Sequence, residues 1–187
     1  MAFQILAFGA SSSRASINKA LVTHAAERLV AEFLPGAEVD VLDLNEFEMP
    51  LYSIDRERAD GIPAQAQRFF DAIGGADALL ISYAEHNGHY TAAYKNLFDW
   101  ASRIQQQVFQ DTPMVVMSAS TGRGGAARTL RAAVDSAPHF GAEILGAVSI
   151  PRFRETFVPG EGLVDAALTA ELGVALAALA KRLRAGA

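Results

Sequence analysis

The chain has 187 residues, 51% apolar and 20% charged, which suits one well-buried core and is foreign to disordered chains. Its net charge of −5, with 16 scattered basic residues, disfavours nucleic acid as the principal partner, and the absence of cysteine removes disulfides, thiolate zinc sites and thiol nucleophiles. No stretch reaches the roughly 18 uninterrupted apolar residues of a membrane span, and "MAFQILAFGA" lacks a basic leader and a signal-length apolar run, so the cytoplasm is the expected setting.

"AFQILAFGA" is a short continuous apolar run closed by Gly9, the pattern of a strand covered on both faces. From Ser16 onward, Ile17, Leu21, Val22, Ala25, Leu29 and Phe33 recur at helical spacing, with Ser16 as N-cap and Pro35-Gly36 as the stop. "AEVDVLDL" alternates as a second strand, and "NEFEMPLYSIDRERADGIP" follows as an irregular, acidic connector. A helix is expected over residues 63–73, with Pro63 in its first turn and Gly74-Gly75 ending it.

"ADALLISYAE" reads as the third strand, "EHNGHYTA" as a polar connector and "AAYKNLFDWASRI" as a helix. "TPMVVMSAS" is the fourth strand, "TGRGG" a glycine-rich connector, and "AARTLRAAVDSAPHF" a helix bent or ended near Pro138. "GAEILGAVSIP" gives the fifth strand, "RFRETFVPGEG" a loop, and "LVDAALTAELGVALAALAKRLR" a closing helix with Lys181, Arg182 and Arg184 in its last turn. Strands alternating with helices, on connections long enough for parallel crossovers, predict a single α/β domain over residues 1–187 with a five-stranded parallel sheet between helical layers.

Ligands of such sheets collect beyond the carboxyl ends of the strands, where the strand order reverses. The first connector carries Ser11, Ser12, Ser13, Arg14 and Ser16, then Asn18, at the start of a helix whose free N–H groups and dipole favour an anion. No glycine-lysine-serine/threonine run is present, so a monophosphate fits better than a triphosphate. The plainer alternative is that the serines cap the helix and shape a turn.

In the third connector, Asn87-Gly88 can offer main-chain groups to the edge of a planar ring. His86 and His89 have no carboxylate or third histidine at a ligand spacing, so no metal is expected, and Lys95 and Asp99 read as an intrahelical ion pair beside a buried Trp100. In the fourth connector, Gly122 to Ala127 matches the dinucleotide pattern G-x-G-x-x-A, which also wants an acidic residue at the end of the next strand. The nearest candidate, Glu143, falls at that strand's start.

Together, "ASSSRASIN", "AEHNGHYTAAYKNLFDW" and "SASTGRGGAAR" resemble the loops of the NAD(P)H-dependent FMN reductase family, the flavodoxin-like group that includes quinone, azo and chromate reductases. The resemblance covers nearly the whole chain, and its most specific piece is "KNLFDW" behind an asparagine-containing loop. It implies a flavodoxin-like three-layer sandwich with strand order 2-1-3-4-5. Three positions depart from the family pattern: Ala84 for proline, His86 for tyrosine, and Arg14 one place late, with Ser13 at the arginine position.

Carried over by position, the resemblance implies that Ser11, Ser13, Ser16, Ile17 and Asn18, helped by Arg14, hold the phosphate of FMN. Glu85, His86, Asn87 and Gly88 would border the isoalloxazine from the third connector, and Ser120, Thr121 and Gly122 from the fourth. The activity implied is hydride transfer from NADH or NADPH to bound FMN and onward to a small acceptor, a free flavin or a quinone, with no catalytic side chain of the hydrolase kind. The rivals are a flavodoxin-type electron carrier without NAD(P)H turnover and a dinucleotide binder using Gly122 to Ala127. A homodimer or homotetramer is expected, joined through the helix after the third connector and the acidic second connector.

Overall fold

The computed structural model describes residues 2–186. Strand β1 (Gln4–Ala10) is followed by helix α1 (Ile17–Arg28), which runs on through a wider π turn at Leu29–Phe33. Ser16 caps α1, its hydroxyl accepting the Lys19 N–H at 3.2 Å. Strand β2 (Glu38–Leu42), a 3₁₀ turn at Leu44–Phe47, helix α2 (Ile54–Asp60) and helix α3 (Ala64–Gly74) lead to strand β3 (Ala78–Tyr83). A hairpin, β4 (Glu85–His86) and β5 (His89–Tyr90), precedes helix α4 (Ala92–Ile104).

Strand β6 (Thr112–Ala119), helix α5 (Ala127–Ser136) and a 3₁₀ turn at Ala137–Phe140 follow, then strand β7 (Ala142–Ile150). One helical turn, α6 (Phe153–Thr156), a second hairpin of β8 (Phe157–Val158) and β9 (Gly162–Leu163), and helix α7 (Ala166–Gly186) close the chain.

The main sheet is five-stranded and parallel in the order β2-β1-β3-β6-β7. Counted along the chain this is the expected 2-1-3-4-5. The continuous apolar runs become the inner strands: all of β3 and β6, and β1 from Ile5 onward, are buried, because helices cover both faces. Alternation along each strand then builds two cores. Ile5, Ala7, Leu80 and Met117 pack with Leu21, Ala25, Leu176 and Leu179 of α1 and α7. Leu6, Phe8, Ile81 and Val116 pack with Phe69, Tyr94, Leu97 and Leu130 of α3, α4 and α5.

Three connectors carry more structure than their sequences announce. The stretch expected to be irregular after β2 contains the 3₁₀ turn and α2; α2 buries no residue, so it has no apolar stripe to betray it. The polar connector after β3 is a hairpin, its tip Asn87 (φ +54°) and Gly88 (φ +81°) having the twin positive dihedrals of a type I′ turn. The expected loop after β7 holds α6 and the β8–β9 hairpin, whose strands are too short to show a period of two. Helix α3 begins at Ala64 with Pro63 just outside it, because Pro63 has a helical φ of −60° but an extended ψ of 143°.

Candidate functional site

The sheet register sets Ala10 beside Tyr83 and Tyr83 beside Ser118, so β1, β3 and β6 end level with one another. The chain passes from β1 outward to β2 and returns to β3 on the other side, so the strand order reverses between β1 and β3. The connectors leaving β1, β3 and β6 meet at this point, and buried side chains lace their bases together. Asn18 of α1 reaches the end of β6, donating to the Ala119 carbonyl at 3.3 Å and accepting the Ala119 N–H at 2.9 Å. Thr91, the N-cap of α4, donates to the Ala10 carbonyl at 2.9 Å. Glu85 accepts the N–H and the hydroxyl of Thr129 at 3.3 and 3.1 Å, joining the hairpin to the first turn of α5.

In the first connector, Gly9 lets α1 lie directly on the strand end: a Cβ there would sit 2.6 Å from the Lys19 nitrogen. The Ser11 N–H turns back to the Gly9 carbonyl at 2.7 Å, and the Ser11 hydroxyl, nearly buried, accepts the Ser13 N–H at 3.1 Å. Ser11 and Ser16 therefore perform the turn-shaping and capping work that serines offer. Ser12, Ser13 and Arg14 are exposed, and Arg14 makes no ion pair or hydrogen bond among the described residues. The main-chain N–H groups of Ile17 and Asn18, in the first turn of α1, are likewise without partners among the described residues.

No carboxylate occurs from Gly9 to Asn18, and Lys19 is committed to Asp43 at 2.7 Å. That ammonium, with the Asn45 N–H, holds the Asp43 carboxyl down at about 2. The donor set is one that receives an anion, and it fits the terminal phosphate of a mononucleotide.

The side chain of Asn18, expected beside the phosphate, is turned into the protein. It is 3% exposed, and its oxygen also accepts the Ser82 hydroxyl at 2.8 Å, so the carboxamide serves as a strut between α1, β3 and β6. The Glu85 carboxylate, expected at the ring border, is turned onto the N-terminus of α5, whose own cap residue, Ala126, has no side-chain acceptor. His86 and Asn87 are exposed at the hairpin tip, with Gly88 partly covered next to Arg128.

In the fourth connector, Ser120 and Gly122 give their carbonyls to the N–H groups of Phe153 and Arg152 at 3.0 and 2.9 Å, and the Ser120 N–H goes to the Ile150 carbonyl at 3.2 Å. The N–H groups of Thr121 and Gly122 stay unpaired among the described residues, available to the acceptor edge of a flat ligand. Gly125 anchors this turn, its carbonyl accepting the hydroxyls of Ser118 at 2.6 Å and Ser149 at 2.9 Å. Glu143 lies at the start of β7, on the opposite edge of the sheet, and is paired with Arg182 at 2.9 Å. The glycine run thus lacks the ribose-holding acid of a dinucleotide site.

Sequence reasoning missed several supporting residues. Thr91 was findable as a cap directly ahead of a helical pattern. Tyr83, Tyr90 and Tyr94 form a cluster under the hairpin with ring centres 5.2 to 5.4 Å apart, and burial pushes all three phenols up, so they stay neutral. In "KNLFDW", Lys95 and Asp99 form the expected ion pair at 2.6 Å, while Asn96 and the buried Trp100 hold the second connector. The Trp100 indole N–H donates to the Pro50 carbonyl at 2.8 Å, and Asn96 accepts the Tyr52 N–H at 2.8 Å. No cluster of His, Asp and Glu able to hold a metal occurs among the described residues, and no helix there is long and apolar enough to cross a membrane.

Residues 3–155 match a protein family described as NADPH-dependent FMN reductase. An NAD(P)H-dependent FMN reductase of Pseudomonas aeruginosa is 39% identical over 94 residues, 50% of this chain and 49% of that protein. A quinone reductase of Escherichia coli is 30% identical over 104 residues, 54% of this chain and 55% of its own. The chain thus spans about half the length of these relatives. Among solved structures, a flavoenzyme NAD(P)H:(acceptor) oxidoreductase of Paracoccus denitrificans superposes with a TM-score of 0.75 at 21% identity, covering 98% of both chains. An oxidoreductase of Corynebacterium diphtheriae does so with a TM-score of 0.77 at 16% identity, again over 98% of both. At those identities the likeness concerns the fold.

Proposed function

The chain belongs to the NADPH-dependent FMN reductase family, and from that premise we propose that it is an NAD(P)H oxidoreductase carrying FMN. It passes reducing equivalents to a small acceptor, a free flavin or a quinone. The observation that carries this reading is the anion cradle of the first connector: unpaired N–H groups at Ile17 and Asn18, exposed Ser12 and Ser13, and an unpaired Arg14, all at the reversal of strand order. The relatives' names, FMN reductase and quinone reductase, support the same assignment.

FMN, when bound, supplies the hydride-accepting and electron-passing chemistry. The chain supplies placement. Ser13, Arg14, the hydroxyls of Ser11 and Ser16, and the N–H groups of Ile17 and Asn18 hold the phosphate. His86, Asn87 and Gly88 border the ring on the hairpin side, and Ser120, Thr121 and Gly122 offer main-chain groups to its edge. The side chains of Asn18, Thr91 and Glu85 fix the three connectors relative to one another, which keeps the cradle and ring borders in register.

With donor and acceptor sharing one face, initial rates against both substrates give parallel double-reciprocal lines. Intersecting lines would overturn the shared-face scheme. Anaerobic mixing of the FMN-loaded protein with NADPH bleaches its visible absorbance; a flavodoxin-type carrier would stay yellow.

The proposal includes one FMN-binding unit over the whole chain, working in the cytoplasm where NAD(P)H is regenerated, and a homo-oligomer. Support for the last comes from the second connector, which Asn96 and Trp100 clamp onto α4 so that Leu51 is 69% and Ile54 43% exposed. Sedimentation at working concentration shows a dimer or tetramer on this reading, and a monomer rejects it.

A further inference from the structure

A groove of about 800 Å³ lies beside the cradle, between the outer face of α1 and the segment from α6 to β9. On the α1 side, Ser16, Lys19, Thr23, His24 and Glu27 follow one helical face, about 16 Å long at 1.5 Å per residue. Phe153, Arg154 and Phe157 form the opposite wall. The groove runs along the flank of the helix and shares Arg14, Ser16 and Ile17 with the cradle at the helix start, so the two sites adjoin.

Its lining carries both charges. Arg154, like Arg14, has no ion pair among the described residues, while Lys19 is neutralised by Asp43. Glu27 and Glu161 add two carboxylates.

Its walls are aromatic. Phe153 and Phe157 stack with centroids 4.5 Å apart and planes 16° apart, and His24 stands edge-on to Phe157 at 5.6 Å. His24 is fixed in place, its Nε2 accepting the Leu163 N–H at 3.4 Å. A ligand matching this groove has a phosphate for Arg154, a flat heteroaromatic body for the aromatic wall, and hydrogen-bond donors able to meet the carboxylates of Glu27 and Glu161.

We propose that this groove is the subsite for the adenosine 2′-phosphate end of NADPH, with Arg154 receiving the 2′-phosphate and the Phe157–His24 wall receiving the adenine. The inference rests on the reading of the chain as an NAD(P)H oxidoreductase and supplies what that reading lacks. The glycine run of the fourth connector has no ribose-holding acid, so the dinucleotide must be gripped elsewhere. An anchor next to the cradle holds its adenosine end while the nicotinamide lies on the ring.

The test is calorimetric titration of the FMN-loaded protein with adenosine 2′,5′-bisphosphate and with 5′-AMP. The bisphosphate binds at least tenfold tighter, the yield of one hydrogen bond to a charged group. Arg154→Gln removes that discrimination, raises KM for NADPH about tenfold, and leaves KM for NADH and the affinity for FMN unchanged. Phe157→Leu weakens both nucleotides equally. Equal affinities for the two nucleotides in the wild-type protein, or equal rises in both KM values for Arg154→Gln, would overturn the proposal. FMN binding is measured apart by quenching of flavin fluorescence, so its failure, which would sink the oxidoreductase reading, is recorded separately from the nucleotide titration.

Discussion

Replacing Asn18 by alanine separates a structural strut from a ligand contact. The carboxamide serves three groups: the N–H and carbonyl of Ala119 and the hydroxyl of Ser82. All three sit where water has little access, since Asn18 is 3% and Ser82 0% exposed. Each lost hydrogen bond costs about 1 kcal/mol net, and more where a buried group is left dry. Asn18→Ala should therefore destabilise the FMN-free protein by about 3 kcal/mol, lowering its melting temperature by about 6–12 °C for a chain of this size. Ser82→Ala removes one of the two donors to the Asn18 oxygen and costs about 1 kcal/mol. Urea denaturation followed by circular dichroism measures both. An Asn18→Ala protein that keeps wild-type stability without FMN but binds FMN poorly would refute the strut and restore Asn18 as a phosphate donor.

Gly125→Ala places a Cβ at φ +58° and 2.2 Å from the Ser149 hydroxyl oxygen, so a loss of about 2 kcal/mol or more is expected in the same denaturation assay. Glu85→Ala removes the side-chain acceptor found at the start of α5 among the described residues; a cost of about 1 kcal/mol, with faster hydrogen exchange in the first turn of α5, is the expected outcome. Burial first, and the Arg28 charge second, hold the His24 pKa below its ordinary 6.5. Between that lowered value and 6.5 the unfolded chain binds a proton that the folded chain refuses. This contribution to stability is therefore full above pH 6.5, falls as pH drops through that window, and levels off below it. Urea midpoints at pH 7.5 and 5.5 should converge in His24→Gln relative to wild type.

The sheet was legible because its inner strands are uninterrupted apolar runs separated by amphipathic stretches, so strand and helix declare themselves by pattern alone. The cradle was legible for a local reason too: Ser16 caps the helix it precedes, and the free N–H groups follow from any helix start. Asn18 and Glu85 were not, because their partners lie 101 and 44 residues away and nothing in a linear sequence says which way a polar side chain turns. Helix α2 escaped because Ile54, its only large apolar residue, faces solvent. The groove along α1 escaped because its second wall belongs to a segment whose strands are two residues long.

The central claim is that the connector from β1 to α1 grips a phosphate, and comparing FMN with riboflavin, which lacks only that group, tests it most directly. Quenching of flavin fluorescence gives both dissociation constants with the same protein. The account predicts that FMN binds at least about 100-fold more tightly, the equivalent of two hydrogen bonds to a charged group. Equal affinities for the two flavins would contradict it.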